Sequence, residues 1–227
     1  MRALELALAL AVGTVSGILP RPVAAQDVAA RLEGRVPSDV MRAVRGIAED
    51  ARARGLPVEP LLQKAIEGGA KRVPADRVIV AVQLLAARLD QARNALRDAG
   101  ISGPTAEAVE SGAYALSAGL SQGQVRDLGR VSRPPYDPAL TLRVAATLTA
   151  LGVPAQRGVR LMEHLIQAGR GPDDLLDLPS EVQVGMARGA TAAEAAEGLD
   201  HGEGSQKGQH QDGQEGHHGQ ESHPRKP

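Results

Sequence analysis

The sequence predicts an all-α fold of stacked antiparallel helix pairs, and three observations carry that prediction. Apolar residues recur at helical spacing from about Ser38 onward, and no useful length alternates with period two. Signals for helix starts and helix ends recur in order along the chain. The apolar set is also almost purely aliphatic: the 227 residues hold no Phe, Trp or Cys, and only Tyr114 and Tyr136 supply rings. A core must therefore be built from Leu, Val, Ile and Ala, which pack well between close helices but offer little grip on a flat ligand, sugar or base. The pattern yields eight or nine short helices, arranged as irregular stacked pairs, solenoid-like or bundled.

The first element reads as an export leader. Met1-Arg2 gives a positive start, Leu6 to Leu19 is an apolar run of 14 residues, and Pro20-Arg21-Pro22 breaks it before the small residues Val23-Ala24-Ala25. Fourteen residues make about 21 Å of helix against roughly 30 Å of hydrocarbon, so the run is too short for a membrane span. A cut ahead of Gln26 is expected, which divides the chain into a leader (1–25), a helical region (26–199) and a tail (200–227). The destination is the periplasm or the extracellular space. Without cysteine, a fold exported there must stand without disulfides.

Next come the helices. Val40, Val44, Ile47, Ala48 and Ala51 line one face of a helix ending near Gly55. Leu61, Leu62, Ala65 and Ile66 begin a second that ends at Gly68-Gly69. Val78, Val82, Leu85, Leu89, Ala92 and Leu96 then step by fours and threes, a seam too short for an independent coiled coil and suited to an antiparallel hairpin.

The punctuation repeats. Val36-Pro37-Ser38-Asp39 resembles Val73-Pro74-Ala75-Asp76, with Gly171-Pro172-Asp173-Asp174 a looser version. Proline is tolerated at a helix start, where its missing N–H would lack a partner anyway. Three turns match, Gly55-Leu56-Pro57, Gly100-Ile101-Ser102 and Gly152-Val153-Pro154, and Gly there suits a left-handed helix end. Ser121-Gln122-Gly123-Gln124 and Thr191-Ala192-Ala193-Glu194 both have capping-box spacing. Starts at Val36, Val73, Leu120 and Gly171 give intervals of 37, 47 and 51 residues, those of diverged helix pairs and not of a uniform repeat. Arg133-Pro134-Pro135-Tyr136-Asp137-Pro138 cannot continue a helix and reads as a long loop in preference to a hinge.

After Leu199 the composition changes. Gly, Gln and His make up 16 of the 27 residues from His201 to Pro227, with no Val, Ile, Leu or Met, so that stretch lacks the apolar area to offset ordering entropy and is expected to be disordered.

Few chemistries survive this reading. Net charge is −1 with basic residues spread along the chain, which argues against nucleic acid as a partner. No cysteine nucleophile exists, the helical region holds only His164, and no glycine run carries the Lys-Ser/Thr of a phosphate loop. Glu67, Glu110 and Glu163 fall at comparable places in three second helices. With Lys64 and Arg160 nearby they fit a charged interaction surface, or equally a set of solvated ion pairs. In the tail, His201, His210, His217, His218 and His223 are of the type that chelates Cu(II), Ni(II) or Zn(II) weakly. The expected function is therefore a non-enzymatic, exported interaction or scaffold module with a protein partner in the envelope and no cofactor. Metal buffering by the tail is the alternative.

Overall fold

The computed structural model describes residues 23–201. The expected leader through Pro22, and the tail beyond His201, lie outside the described residues. Within them the fold is all-α, with no strand and ten helices where the sequence suggests eight or nine. They are α1 (Val23–Leu32), α2 (Ser38–Ala53), α3 (Glu59–Ala70), α4 (Ala75–Asp98), α5 (Ala106–Ala118), α6 (Gln122–Val131), α7 (Pro138–Ala150), α8 (Ala155–Gln167), α9 (Pro172–Ala187) and α10 (Ala192–Asp200). The cut expected ahead of Gln26 falls within the first turn of α1. Its buried anchors, Val28 and Leu32, both lie downstream of that cut.

Local chemistry explains the boundaries. Pro37, Pro74 and Pro154 stand at the caps of α2, α4 and α8, where a missing donor costs nothing. Thr105, Ser121, Asp137 and Thr191 accept from the first-turn amides of α5, α6, α7 and α10, and both expected capping boxes form. The matching turns close alike. Gly55 and Gly152 take φ of +71° and +102°, and the residues after them, Leu56 and Val153, donate back to Ala51 and Leu148 at 2.9 and 3.0 Å. Leu56 and Val153 are both buried over the turn they close.

The helices form two interleaved rows. In one, α1 packs on α3, α5 on α7 and α7 on α9; in the other, α2, α4, α6, α8 and α10 each pack on the next. Helices of the second row begin at Ser38, Ala75, Gln122, Ala155 and Ala192, spaced 37, 47, 33 and 37 residues apart. This corrects the 51-residue interval expected from sequence. Gly171-Pro172 opens α9, which belongs to the other row, and counting it with the second row skipped α8. The 47-residue unit has a simple cause: α4 is 24 residues long where α2 has 16.

Buried aliphatic side chains run without interruption from Val28 to Ala196. Along α4 the expected seam holds at Val78, Val82, Leu89, Ala92 and Leu96, but buried Ala86 replaces half-buried Leu85. Helices approach where side chains are smallest. A methyl at Gly112 of α5 would meet the Ala92 Cβ at 2.8 Å, and one at Gly129 of α6 the Ala99 Cβ at 2.9 Å. Charged pairs join neighbours within a row: Arg31 is bidentate to Glu59 (α1–α3), Arg143 meets Glu107 at 2.9 Å (α7–α5), and Arg157 meets Glu197 at 3.0 Å (α8–α10). Such exposed pairs contribute about 1 kcal/mol or less each, so they set register more than stability.

The proline-rich break is a tied loop. Arg133 donates to the Ala99 carbonyl at 2.9 Å, and the Tyr136 hydroxyl donates to the Arg170 carbonyl at 2.6 Å, anchoring the segment to the ends of α4 and α8. The helices on either side of it, α6 and α7, also pack on each other.

Candidate functional site

The rows determine where the sequence-derived residues fall. Lys64 and Glu67 sit together on α3, their side chains 3.0 Å apart, and Lys71 closes on the same carboxylate from the other side. Those two ammonium groups, Lys71 first, hold the Glu67 carboxyl down at about 2. Glu110, on α5, lies in the same row. Its carboxyl is pushed up by partial burial and then by Glu107 and Glu59, against the pull of Arg143. Glu163 and Arg160 belong to α8 in the other row. There partial burial, with Asp127 of α6, raises the Glu163 carboxyl, and Arg160 lines a groove of about 260 Å³ with Glu197, Asp200 and His201. Glu67 and Glu110 thus share a row, and Glu163 does not join them. Of the tail histidines only His201 is described, at the C-terminal cap of α10; His210, His217, His218 and His223 lie outside the described residues. No group of three His, Asp or Glu among the described residues stands close enough to hold a metal ion.

A different place has the form of a binding site. α9 and α10 are the last helices among the described residues, and a half-open groove of about 680 Å³ lies between them, closed at one side by the end of α8. One face of α9 supplies Asp174, Asp177, Glu181 and Val184, and its C-cap residue supplies Arg188, residues three and four apart that stack along a helix. Beneath them lie Leu165 and Leu178, both buried, with half-buried Ala195 and Leu199 from α10. Gly185 lets α10 come in: a methyl there would stand 2.6 Å from the Ala195 Cβ.

The groove is acidic. Four carboxylates (Asp174, Asp177, Glu181, Glu194) line it against two guanidiniums, Arg170 and Arg188. Asp174 accepts from the Gly171 amide at 3.0 Å and Glu194 from the Thr191 amide at 2.8 Å, so both also serve as helix caps. Glu181 is raised, first by partial burial and next by Asp177, with Arg170 pulling the other way. Ser180 is the one hydroxyl in the lining and no imidazole stands beside it. The groove therefore holds a negative potential over an aliphatic floor, without a nucleophile paired to a base. That composition favours binding a cationic, partly apolar surface.

By sequence alone Gly171-Pro172-Asp173-Asp174 reads only as a helix start, which does not mark this site. The signal was present one turn further on, where Asp177 and Glu181 continue the acidic face and Val184 ends it. No protein family, curated protein or solved structure matches the chain.

Proposed function

We propose that this chain is an exported helical interaction module that binds a protein partner through the groove between α9 and α10 and carries out no reaction of its own. One observation carries the reading: the terminal groove between α9 and α10, which combines buried Leu165 and Leu178 with the carboxylates Asp177 and Glu181. Among the described residues no helix follows α10, and the groove beside it presents both apolar and charged surface, the composition of a protein-docking face. Export rests on the leader pattern of residues 1–25. Lack of cysteine and a core that closes with aliphatic side chains both suit such a compartment.

The test is capture in place. The full chain, tagged and cross-linked in the compartment to which it is delivered, is expected to yield an adduct of defined stoichiometry with a protein, whether a second copy or another chain. If it stays monomeric, with no adduct above an inert exported control, the interaction reading fails.

A further inference from the structure

Helix α4 outruns its neighbour α6, with 24 residues against 10. Helix α6 lies along it only from Gln91, whose carbonyl accepts from the Gln122 side-chain amide at 3.4 Å, to Ala99, whose Cβ would stand 2.9 Å from a methyl on Gly129. Ahead of Gln91 one side of α4 opens to solvent. Ala95 is 1% exposed, but Leu84, eleven residues earlier and three turns down the same side, is 53% exposed, and Val80 is 52% exposed. Among the described residues no other two exposed large hydrophobic side chains stand four residues apart.

The same spacing continues in both directions. Asp76, Val80, Leu84 and Arg88 form one ridge of the helix surface, each residue a turn beyond the last. In order they are anion, aliphatic, aliphatic, cation. Among the described residues neither Asp76 nor Arg88 makes an ion pair, whereas Asp90 and Arg93 further along α4 are joined at 2.6 Å. The ridge is complementary to its own reverse.

We infer that the α4 ridge of one copy packs against the same ridge of a second copy, antiparallel about a two-fold axis, so that the protein forms a dimer. The axis falls at the level of Val82, midway between Val80 and Leu84. Val80 of each copy then meets Leu84 of the other, and Asp76 of each meets Arg88 of the other, so two aliphatic contacts are flanked by two ion pairs. The ridge spans about 18 Å along the helix axis, and ridges of this spacing on both helices interdigitate at a crossing of about 50°. Charge sets the direction. In a parallel pairing Asp76 would face Asp76 and Arg88 would face Arg88, and like charges disfavour it.

Other segments of this chain fit less well. The stretch after His201 has no Val, Ile, Leu or Met to set against Val80 and Leu84. The apolar run Leu6 to Leu19 carries no charge to meet Asp76 or Arg88. Both copies use the same surface, so the contact is isologous, and a dimer leaves no ridge open for a third copy. One helix face is small for an interface, so the dimer is weak and salt-sensitive. The ridge is separate from the α9/α10 groove, so the dimer goes beyond the interaction reading and carries two grooves on one particle.

Sedimentation equilibrium on the purified full chain tests this. Mean mass is expected to rise from the monomer's 23.6 kDa to about twice that as concentration approaches roughly 1 mM, and no further. Association should weaken about fivefold from roughly 50 to 500 mM salt. Asp76→Arg places a cation at both ends of the ridge and Arg88→Asp an anion at both, so each variant alone should stay monomeric. Mixed, the two should restore a dimer, because every facing pair is again opposite in charge, and the double variant should pair with itself. Far-ultraviolet dichroism checks that all three keep the fold. A wild-type chain that stays monomeric overturns the inference. So do species larger than the dimer, a single variant that pairs as well as the wild type, or a mixture that does not pair. Cross-linking in the native compartment that places a different protein on Val80 and Leu84 overturns it too. None of these substitutions touches the groove, so a monomeric Arg88→Asp variant that still captures a partner through Asp177 and Glu181 separates the dimer from the interaction reading.

Discussion

Replacing Gly112 of α5 by alanine should destabilise the protein, and replacing Gly46 of α2 by alanine should stabilise it, although both are glycines inside helices. At an exposed helical position the added methyl restricts the unfolded chain and favours the helix by about 0.5–1 kcal/mol. Gly46 has nothing within 4 Å of the new carbon, so it should show that gain in full. At Gly112 the same carbon would sit 2.8 Å from the Ala92 Cβ and 3.6 Å from a Val125 methyl. Ordinary carbon contact begins near 3.5–4.0 Å, so α4 and α5 must move apart by about 1 Å. Alanine has no side-chain torsion to rotate away, and the strain falls on the backbone. Overpacking of this kind costs about 1–3 kcal/mol, which leaves a net loss of about 1 kcal/mol and a gap of about 2 kcal/mol between the two variants. For a domain of this size that gap is about 4–8 °C in Tm. Thermal and urea unfolding of the full chain, followed at 222 nm, measures it. If Gly112→Ala proves as stabilising as Gly46→Ala, the two helices do not meet as described.

Three further outcomes are expected. Arg72 is the one non-glycine residue with positive φ among those described, at +54°, so Arg72→Gly should raise stability by about 1 kcal/mol in urea titration; a loss would mean that its side chain matters more than its backbone. Leu89→Ala, in the buried seam of α4, should cost about 3 kcal/mol, while Leu84→Ala on the exposed face of the same helix should stay within about 0.5 kcal/mol; equal effects would contradict the assigned faces. Hydrogen bonds from Arg31, and then from Gln63, lower the Glu59 carboxyl from 4.5 to about 2 in the folded chain. Its contribution is therefore complete above pH 4.5 and disappears as pH falls toward 2. Both partners are solvent-facing, so it amounts to about 1 kcal/mol at most, and Glu59→Gln should flatten the acid limb of the stability profile between those values.

Much of this fold is legible in the sequence because helix starts and stops are local chemistry. Pro37, Pro74, Thr191 and the glycine-led turns mark boundaries that the structure keeps, since each acts on amides and carbonyls within a few residues of itself. The row to which a helix belongs is not local. Gly152-Val153-Pro154 has the same turn chemistry as Gly55-Leu56-Pro57, yet it leads from α7 to α8 and so crosses between the rows in the opposite sense. That is why Glu163 looks equivalent to Glu67 and Glu110 by spacing and stands apart from them in space. Helix α1 is illegible for another reason: between the expected cut and Pro37 only Val28 and Leu32 offer large buried apolar side chains, too few positions to set a period. In the terminal groove, the carboxylates of α9 were readable by period, but the floor was not. Leu165 comes from α8 and Leu199 from α10, and only packing brings them beneath Asp177 and Glu181.

The groove and the register of the charged pairs both depend on the interleaving of the helices. Nuclear Overhauser spectroscopy on alanine-methyl-labelled protein tests it most directly. Cross-peaks are expected from the Gly112 α-protons to the Ala92 methyl, from Gly129 to Ala99 and from Gly185 to Ala195, each pair being in near contact across two helices. Resolved, assigned methyls that lack all three cross-peaks would contradict the two-row arrangement and the groove built on it.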